Sequence, residues 1–299
     1  MKIGVLAGGP SSERRISLRS GRAVYKALTA AGYDVKFLDV FDNVYDTIKK
    51  ADIDVAFLAL HGRFGEDGTV QAMLEKLKLP YTGSGVRASR LALDKIASKK
   101  IFQRDRIPVP RHHAVKRGAS YVCQAQRLGW PVVVKPQLEG SSIGLSVVRN
   151  PGDLKKAVRK AFEYGDKILL EEYIDGRELT VGIVDERPLP VVEIVSPFGI
   201  YDTRAKYKDK RTRYLVPAPL GKRLLRKAQK LGLAAHTSLG CRGFSRVDMR
   251  MDRSGNIFVL EVNSIPGMTE RSLLPKAACA HGLNFTQLCI TLLNLALSS

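Results

Sequence analysis

Cysteine is sparse and scattered in this 299-residue chain: Cys123, Cys241, Cys279 and Cys289 form no C-x-x-C pair, which speaks against a zinc site or a disulfide framework and fits a reducing, cytoplasmic compartment. Long apolar runs are missing too. The most apolar tail, "LCITLLNLALSS", is shorter than the ~20 residues a membrane span needs, and the opening "MKIGVLAGGP" holds too short an apolar run for a signal peptide. No membrane association is expected. Also absent are the G-x-x-x-x-G-K-[ST] phosphate loop, the kinase catalytic-loop and D-F-G signatures, zinc-finger spacing, RNP-like aromatic motifs, internal repeats and low-complexity segments. Acidic residues are few: 29 Asp and Glu stand against 49 Lys and Arg, a formal charge of +20. The basic residues are spread over most helices, with one denser cluster at 204–213, which suits a solvated surface better than a nucleic-acid stripe. Nucleic acid is therefore a disfavoured partner, and an anionic small substrate stays open.

What the chain does have is 44% hydrophobic residues, enough for a substantial core and two or three domains. Early on, strand-like runs ("KIGVLAG", "DVKFLDV", "DVAFLAL") alternate with helical ones, including a helix over about 17–31, and this rhythm predicts an open parallel sheet with helices on its faces. One helix is expected over about 88–106, ending before the prolines of "IPVP". A second α/β unit follows, with strands "PVVVK", "LSVVR" and "KILLEEYI" and a helix over about 152–164. Then "ELTVGIV" and "PLPVVEIV" flank a turn at 185–188 and read as an antiparallel hairpin. A basic, tyrosine-containing loop at 199–217 is long enough to be functional. The domains expected are 1–87, 88–176 and 177–299.

The closing hairpin carries the first chemical signal. Taking Ser254-Gly255 as the centre of a tight turn between "SRVDMRMD" and "NIFVLEVNS" places Asp248 opposite Glu261 and Arg246 opposite Asn263 on one face, with Val247, Met249, Leu260 and Val262 on the other. Two carboxylates at ~5 Å repel by roughly 3 kcal/mol at an effective dielectric of 20, so the pair calls for a cation. Two carboxylates and a carboxamide form an oxygen set suited to Mg²⁺ with open positions for phosphate. The alternative is an exposed strand face on which Arg246 and Arg250 neutralise the acids.

A second signal lies in "WPVVVKPQLEGSSIG". Lys135 ends an apolar strand, where a lone ammonium is costly unless it faces an anion. Just after it, residues 140–144 offer a glycine-flanked run of backbone N–H groups able to curl around phosphate oxygens. With these features the chain resembles the D-alanine–D-alanine ligases of the ATP-grasp superfamily. The matching stretches are "GGPSSERRISLRSG", "HGRFGEDG", "LPYTGSGV", "LDKIASK", "VVVKPQLEGSSIG", "LLEEYIDGRELTVGI", "AKY", "SRVDMRMD" and "LEVNSIPGMTERSLLP", in family order to about Pro275.

The resemblance implies an ATP-grasp fold, mixed α/β and α+β, behind an N-terminal open parallel α/β domain. It also implies a reaction: ATP phosphorylates the carboxylate of one D-alanine, and the amine of a second attacks the acyl phosphate. Asp248, Glu261 and Asn263 would hold two Mg²⁺ ions, with Mn²⁺ as a substitute. Lys95 and Lys135 would contact the α/β-phosphates beneath Ser142, and Lys206 the γ-phosphate. Glu171 and the backbone of Glu172 to Ile174 would read adenine, and Glu178 the ribose. Glu13 would hold the first substrate's ammonium in a network with Ser141 and Tyr207, with His61 nearby. Arg246 and the Gly267 amide would stabilise the tetrahedral oxyanion, and Ser272 and Leu273 would receive the second substrate's carboxylate. Loop 199–217 would be a lid, and a homodimer is the assembly typical of the family. Each residue also has a plainer reading: Lys95 a solvated helix lysine, Glu171 and Glu178 strand-end acids meeting water, Glu13 a helix-dipole partner, His61 structural, Ser272 an ordinary N-cap. Phe64, in a stretch usually rich in glycine, and Arg271, where several members carry histidine, depart from the common pattern. The rival readings are a D-Ala-D-Ser or D-Ala-D-lactate ligase, against whose lactate form Tyr207 weighs, and a non-enzymatic nucleic-acid binder on the same scaffold.

Overall fold

The computed structural model describes residues 1–197 and 211–298, so Lys206, Tyr207 and most of the expected lid lie outside the described residues. The chain opens with β1 (Lys2–Gly8), α1 (Arg14–Ala30), β2 (Asp34–Val40), α2 (Val44–Lys50), β3 (Val55–Leu58) and α3 (Thr69–Lys76). The three strands form the expected parallel sheet in the order β2-β1-β3. Helix α1 starts three residues earlier than the periodicity suggests. It buries Ser17, Ser20, Gly21, Val24, Ala27 and Leu28, one face at helical spacing. Gly21 permits this docking, because a Cβ there would lie 2.4 Å from the Ala7 Cβ on β1.

The single helix expected over 88–106 is two helices, α4 (Val86–Leu93) and α5 (Lys95–Arg104). Between them Asp94 takes extended backbone, and its Oδ1 accepts from the amides of Ile96 and Ala97, both at 3.0 Å. An aspartate that satisfies two orphan amides begins a new helix where hydrophobic periodicity would run on. The break makes Lys95 the first residue of α5.

Then follow β4 (His112–Lys116), α6 (Val122–Leu128), β5 (Val132–Pro136), β6 (Ser146–Val148), α7 (Leu154–Phe162) and β7 (Lys167–Glu172). Their strands form an antiparallel sheet in the order β4-β7-β5-β6. The remaining described elements are β8 (Gly176–Val184), β9 (Arg187–Pro188), β10 (Val192–Val195), β11 (Arg213–Leu215), α8 (Lys222–Ser238), β12 (Phe244–Asp252), β13 (Ile257–Asn263), α9 (Leu273–Ala280) and α10 (Phe285–Leu297). Here the sheet runs β11-β10-β8-β12-β13, with β9 beside β8. The expected turn after β8 is present: Asp185 and Glu186 both take left-handed backbone, the twist a tight hairpin needs.

The β12–β13 register reaches the expected pairs by a different route. The turn holds three residues, 253–255, not the two assumed, so that Asp252 and not Arg253 faces Asn256: the Asp252 amide donates to the Asn256 carbonyl at 2.9 Å, and Gly255 adopts φ +82°. That shifts every pair near the turn by one residue, Met251 facing Ile257 and Met249 facing Val259. A β-bulge next to Met249 then absorbs one residue of β13, and beyond it Asp248 faces Glu261, Val247 faces Val262 and Arg246 faces Asn263. Leu260 is the residue absorbed. It turns to the same side as Glu261 instead of joining Val247, Met249 and Val262 in the core, as strict alternation would require.

Candidate active site

A cleft opens between the β4-β7-β5-β6 sheet and the face of β8, β12 and β13. Lys95, Lys135, Ser142, Glu171, Glu172, Ile174, Glu178, Asp248 and Glu261, nine residues drawn from widely separated motifs, all line it. Sequence reasoning missed Glu139 and the apolar walls, Val133, Ile143, Leu145 and Val147 on one side and Leu260 on the other. Only the bulge puts Leu260 there, and no alternation pattern announces a bulge.

At one end of the cleft the opposed acids of the hairpin are held by protein cations. Asp248 accepts two bonds from Arg246, at 2.8 and 2.7 Å, one from Thr180 Oγ1 at 2.7 Å and one from Asn263 Nδ2 at 3.1 Å. Glu261 pairs with Lys95 at 3.2 Å. Arg246 thus neutralises Asp248, as the plainer reading had it, whereas Arg250 turns to Glu178 at 3.4 Å and stacks on the Tyr173 ring at 5.0 Å. Among the described residues no three His, Cys, Asp or Glu side chains converge; the set here is two carboxylates and one carboxamide. That donor set still fits a hard divalent ion, because both carboxylates face one cleft and their present partners are side chains that a stronger cation would replace. Lys95 is no solvated lysine. It is 6% exposed, and its Nζ also donates to the Glu139 carbonyl at 2.7 Å.

At the other end the anion facing Lys135 is internal: its Nζ donates to Glu171 Oε2 at 2.6 Å. The second oxygen of Glu171 is paired with Lys99, a fully buried lysine of α5 that sequence reasoning did not single out. Burial works to raise the Glu171 carboxyl, but the two ammonium groups outweigh it and hold the acid below the usual range. Glu171 is therefore not an acid meeting water. The amides of Glu172 and Tyr173 are taken by the carbonyls of Arg111 and Pro131, at 2.9 and 3.3 Å.

A second cluster lies beside the loop after β5. Glu13, at the N-cap position of α1 and 6% exposed, accepts from the Ser141 hydroxyl across 128 residues of sequence. Glycines make room for this carboxylate: a Cβ at Gly140 would lie 2.7 Å from Glu13 Oε2, and one at Gly62 2.9 Å. Ser141 and Ser142 both adopt left-handed backbone, at φ +48° and +59°. His61, buried just after β3, sits 3.0 Å from the Ile265 carbonyl through Nδ1 and 3.0 Å from Ser20 Oγ through Nε2. A carbonyl only accepts, so Nδ1 carries the proton and Nε2 receives the Ser20 hydroxyl. Burial drives the His61 pKa down against the pull of Glu13, which keeps the ring neutral. Ser20 Oγ in turn accepts from the Met268 amide at 3.2 Å, so the histidine ties β3 to the "IPGM" segment. Glu66, another residue missed, accepts from the Gly62 amide at 2.6 Å, and burial together with nearby Glu13 pushes its pKa up to about 8.

Gly267 packs so closely that a Cβ would meet Ser272 Oγ at 3.1 Å. Ser272 stands at the N-cap position of α9 but makes no capping bond there; its hydroxyl is 2.8 Å from Thr269 Oγ1 and accepts from the Thr269 amide at 3.2 Å. Leu273, the first residue of α9, is buried. Phe64 adopts φ +75°, which glycine reaches freely and a bulky residue does not, so the departure noted in sequence falls where the backbone favours glycine.

Comparison with known proteins bears on these clusters together. The description "D-ala D-ala ligase N-terminus" matches residues 40–84, and "D-ala D-ala ligase C-terminus" matches residues 101–294. D-alanine–D-alanine ligases of Trichlorobacter lovleyi and Geobacter sulfurreducens are 47% and 46% identical, each over 96% of this chain and over 92% and 91% of their own lengths. The crystal structure of the Bacillus anthracis D-alanine–D-alanine ligase complexed with ATP superposes with a TM-score of 0.88 at 35% identity, covering 100% of this chain and 98% of that one. No helix among the described residues is long and apolar enough to cross a membrane. With the C-terminal match alone spanning well over half of the sequence, the α/β fold is that of the ATP-grasp enzymes, and the chain belongs to the D-alanine–D-alanine ligase family.

Proposed function

We propose that this protein joins two D-alanine molecules into D-alanyl-D-alanine at the expense of ATP, through an acyl phosphate, and so supplies peptidoglycan synthesis in the cytoplasm. The observation that carries the reading is the meeting of nine dispersed motif residues in one cleft with the Glu13–Ser141 cluster beside it. ATP lies in the cleft, its base between Leu260 and the valines of β5 and β6 and its phosphates toward Lys95, Lys135 and the 140–144 loop. Glu171 accepts the adenine amino group. With the Glu172 and Tyr173 amides taken, Ile174 is the backbone donor among those three residues. Glu178 binds the ribose. Asp248, Glu261 and Asn263 hold magnesium, which neutralises charge on the phosphates when bound.

Glu13 receives the ammonium of the first D-alanine. Arg246, released from Asp248, and the Gly267 amide stabilise the oxyanion. Ser272 and the amide of Leu273, at the start of α9, take the second carboxylate. Lys206 and Tyr207 fall to the γ-phosphate and to second-substrate choice. In this scheme residues 1–87 contribute to the D-alanine site, 88–176 and 177–299 grasp the nucleotide, and the assembly is a homodimer, which light scattering would check.

Incubation with MgATP and an equimolar mixture of D-alanine, D-serine and D-lactate, followed by mass spectrometry, is expected to give D-alanyl-D-alanine with one phosphate released per dipeptide. ATP turnover without that product would overturn the reading. Glu261→Gln is expected to lower turnover at least ~100-fold with an unchanged circular dichroism spectrum; wild-type rates in it would remove the metal assignment.

A further inference from the structure

Among the described residues two cations lie on Glu171, and of these Lys135 reaches the cleft. Lys99 stands behind the wall: it is 0% exposed, it is absent from the cleft lining, and its ammonium is ion-paired with Glu171. Two ammonium groups on one buried carboxylate form an expensive arrangement. Each buried ion carries a desolvation penalty, and one lysine already neutralises the acid. An apolar side chain would fill the Lys99 site at lower cost, so its charge is retained for something other than packing.

We propose that Lys99 is a specificity-determining positioning residue: from behind the cleft it fixes Glu171 as an ionised acceptor aimed at the 6-amino group of the nucleotide's base, so that the site prefers adenine to purines without that group. The inference rests on the reading that ATP occupies this cleft. If the phosphates draw Lys135, which lies on the cleft surface, Glu171 keeps Lys99 as its counter-ion and neither rotates nor takes up a proton. The surroundings agree. Burial pulls the Lys99 ammonium down to about 8 against the pull of Glu171, so this lysine is held at a cost, while Glu171 stays below the usual carboxylate range. Placement on α5 makes the anchor rigid: the Asp94 cap that begins the helix also accepts from Gln137, at 2.7 Å, tying α5 to the segment after β5. A carboxylate fixed in this way accepts a hydrogen bond and offers none, so a base without the amino group leaves it without its ligand bond.

The test compares ATP with purine riboside triphosphate, which differs from it by the missing 6-amino group, on the wild type and on Lys99→Met. Dipeptide formation gives kcat and KM, and calorimetry gives nucleotide binding without turnover. The wild type is expected to favour ATP, and Lys99→Met to lose at least ~10-fold of that preference, with the loss in KM for ATP and not in kcat, and with binding of the analogue nearly unchanged. Equal losses for both nucleotides, or a fall confined to kcat, would mark Lys99 as structural and overturn the proposal, as would an unchanged preference. Should Lys99→Met not fold, as judged by circular dichroism, Lys99→Gln removes the charge while keeping a donor, and the same criteria apply. A wild type that does not distinguish the two nucleotides would sink the adenine role of Glu171 together with this proposal. A wild type that binds ATP selectively but forms no dipeptide would sink the ligase reading alone.

Discussion

Glu66 is buried beside another carboxylate, Glu13, and the two share the space around Gly62. Its folded pKa, about 8, lies above the unfolded value near 4.5. Below pH 4.5 the acid is protonated in both states and its burial costs little. Between 4.5 and 8 the unfolded chain releases the proton and the folded chain keeps it, so the stability associated with this group is lost progressively as pH rises and is gone above 8. Glu66→Gln keeps an acceptor for the Gly62 amide and removes the titration. Thermal melts are expected to show the variant gaining on the wild type as pH is raised from 5 to 8; parallel curves would mean that Glu66 is ionised in the fold. Acids in this protein are thus pushed in opposite directions by what surrounds them, Glu171 downward by two lysines and Glu66 upward by burial and a like charge.

At the scale of elements, the N-terminus of α5 shows how one side chain positions several. Asp94 caps the helix with one oxygen and accepts from Gln137 with the other, which sets Lys95 in the cleft and Lys99 behind it. Asp94→Ala is expected to cost about 1–2 kcal/mol in urea unfolding and to raise KM for ATP, whereas Asp94→Asn, which retains the cap, stays close to wild type in stability. A cost below 0.5 kcal/mol would mean that packing, not the cap, begins the helix. This break was present in the sequence as "LDK", but apolar periodicity continues through it, and periodicity alone gives one long helix. The hairpin of β12 and β13 shows the converse. The pairing of Asp248 with Glu261 was legible, yet the assumed turn was one residue too short, and the bulge supplied the compensating residue. Polar motif residues carry their chemistry in their letters, so the cleft's lysines and, Glu139 excepted, its acids were readable. Its apolar walls, the neutral His61 relay and the Lys99 anchor depend on long-range packing, which no local pattern encodes.

Across the whole molecule the cores are not distributed as the three sheets are. One hydrophobic cluster joins Ile3, Val5 and Val24 of the N-terminal segment to Val184, Val192, Phe244, Leu274 and Leu288 of the C-terminal one, and α1 packs on α10. The segment from β4 to β7 has a separate, smaller cluster, Val115 to Leu170, in which every buried member is its own. Residues far apart in sequence therefore share one body, and the middle segment forms another, with polar contacts such as Lys99–Glu171 and Lys95–Glu139 running between it and α5, whose own buried residues pack with the C-terminal strands. The smaller core buries a lower fraction of its surface and should melt first. The chain's single tryptophan, Trp130, packs against that smaller cluster, so its fluorescence reports the middle body alone, while far-UV circular dichroism reports both. Without nucleotide, the fluorescence midpoint is expected to fall below the main dichroism transition. A ligand that bridges both bodies stabilises by mass action, about 2.7 kcal/mol at 100 times its Kd, and because it contacts the middle body on one side of the cleft and β12–β13 on the other it also couples them. Saturating MgATP should therefore raise the fluorescence midpoint by more than the dichroism midpoint and bring the two together. Coincident transitions in the absence of nucleotide would show that the polar contacts already bind the bodies into one unit, and a nucleotide shift confined to fluorescence would place the ligand on the middle body without a bridge across the cleft.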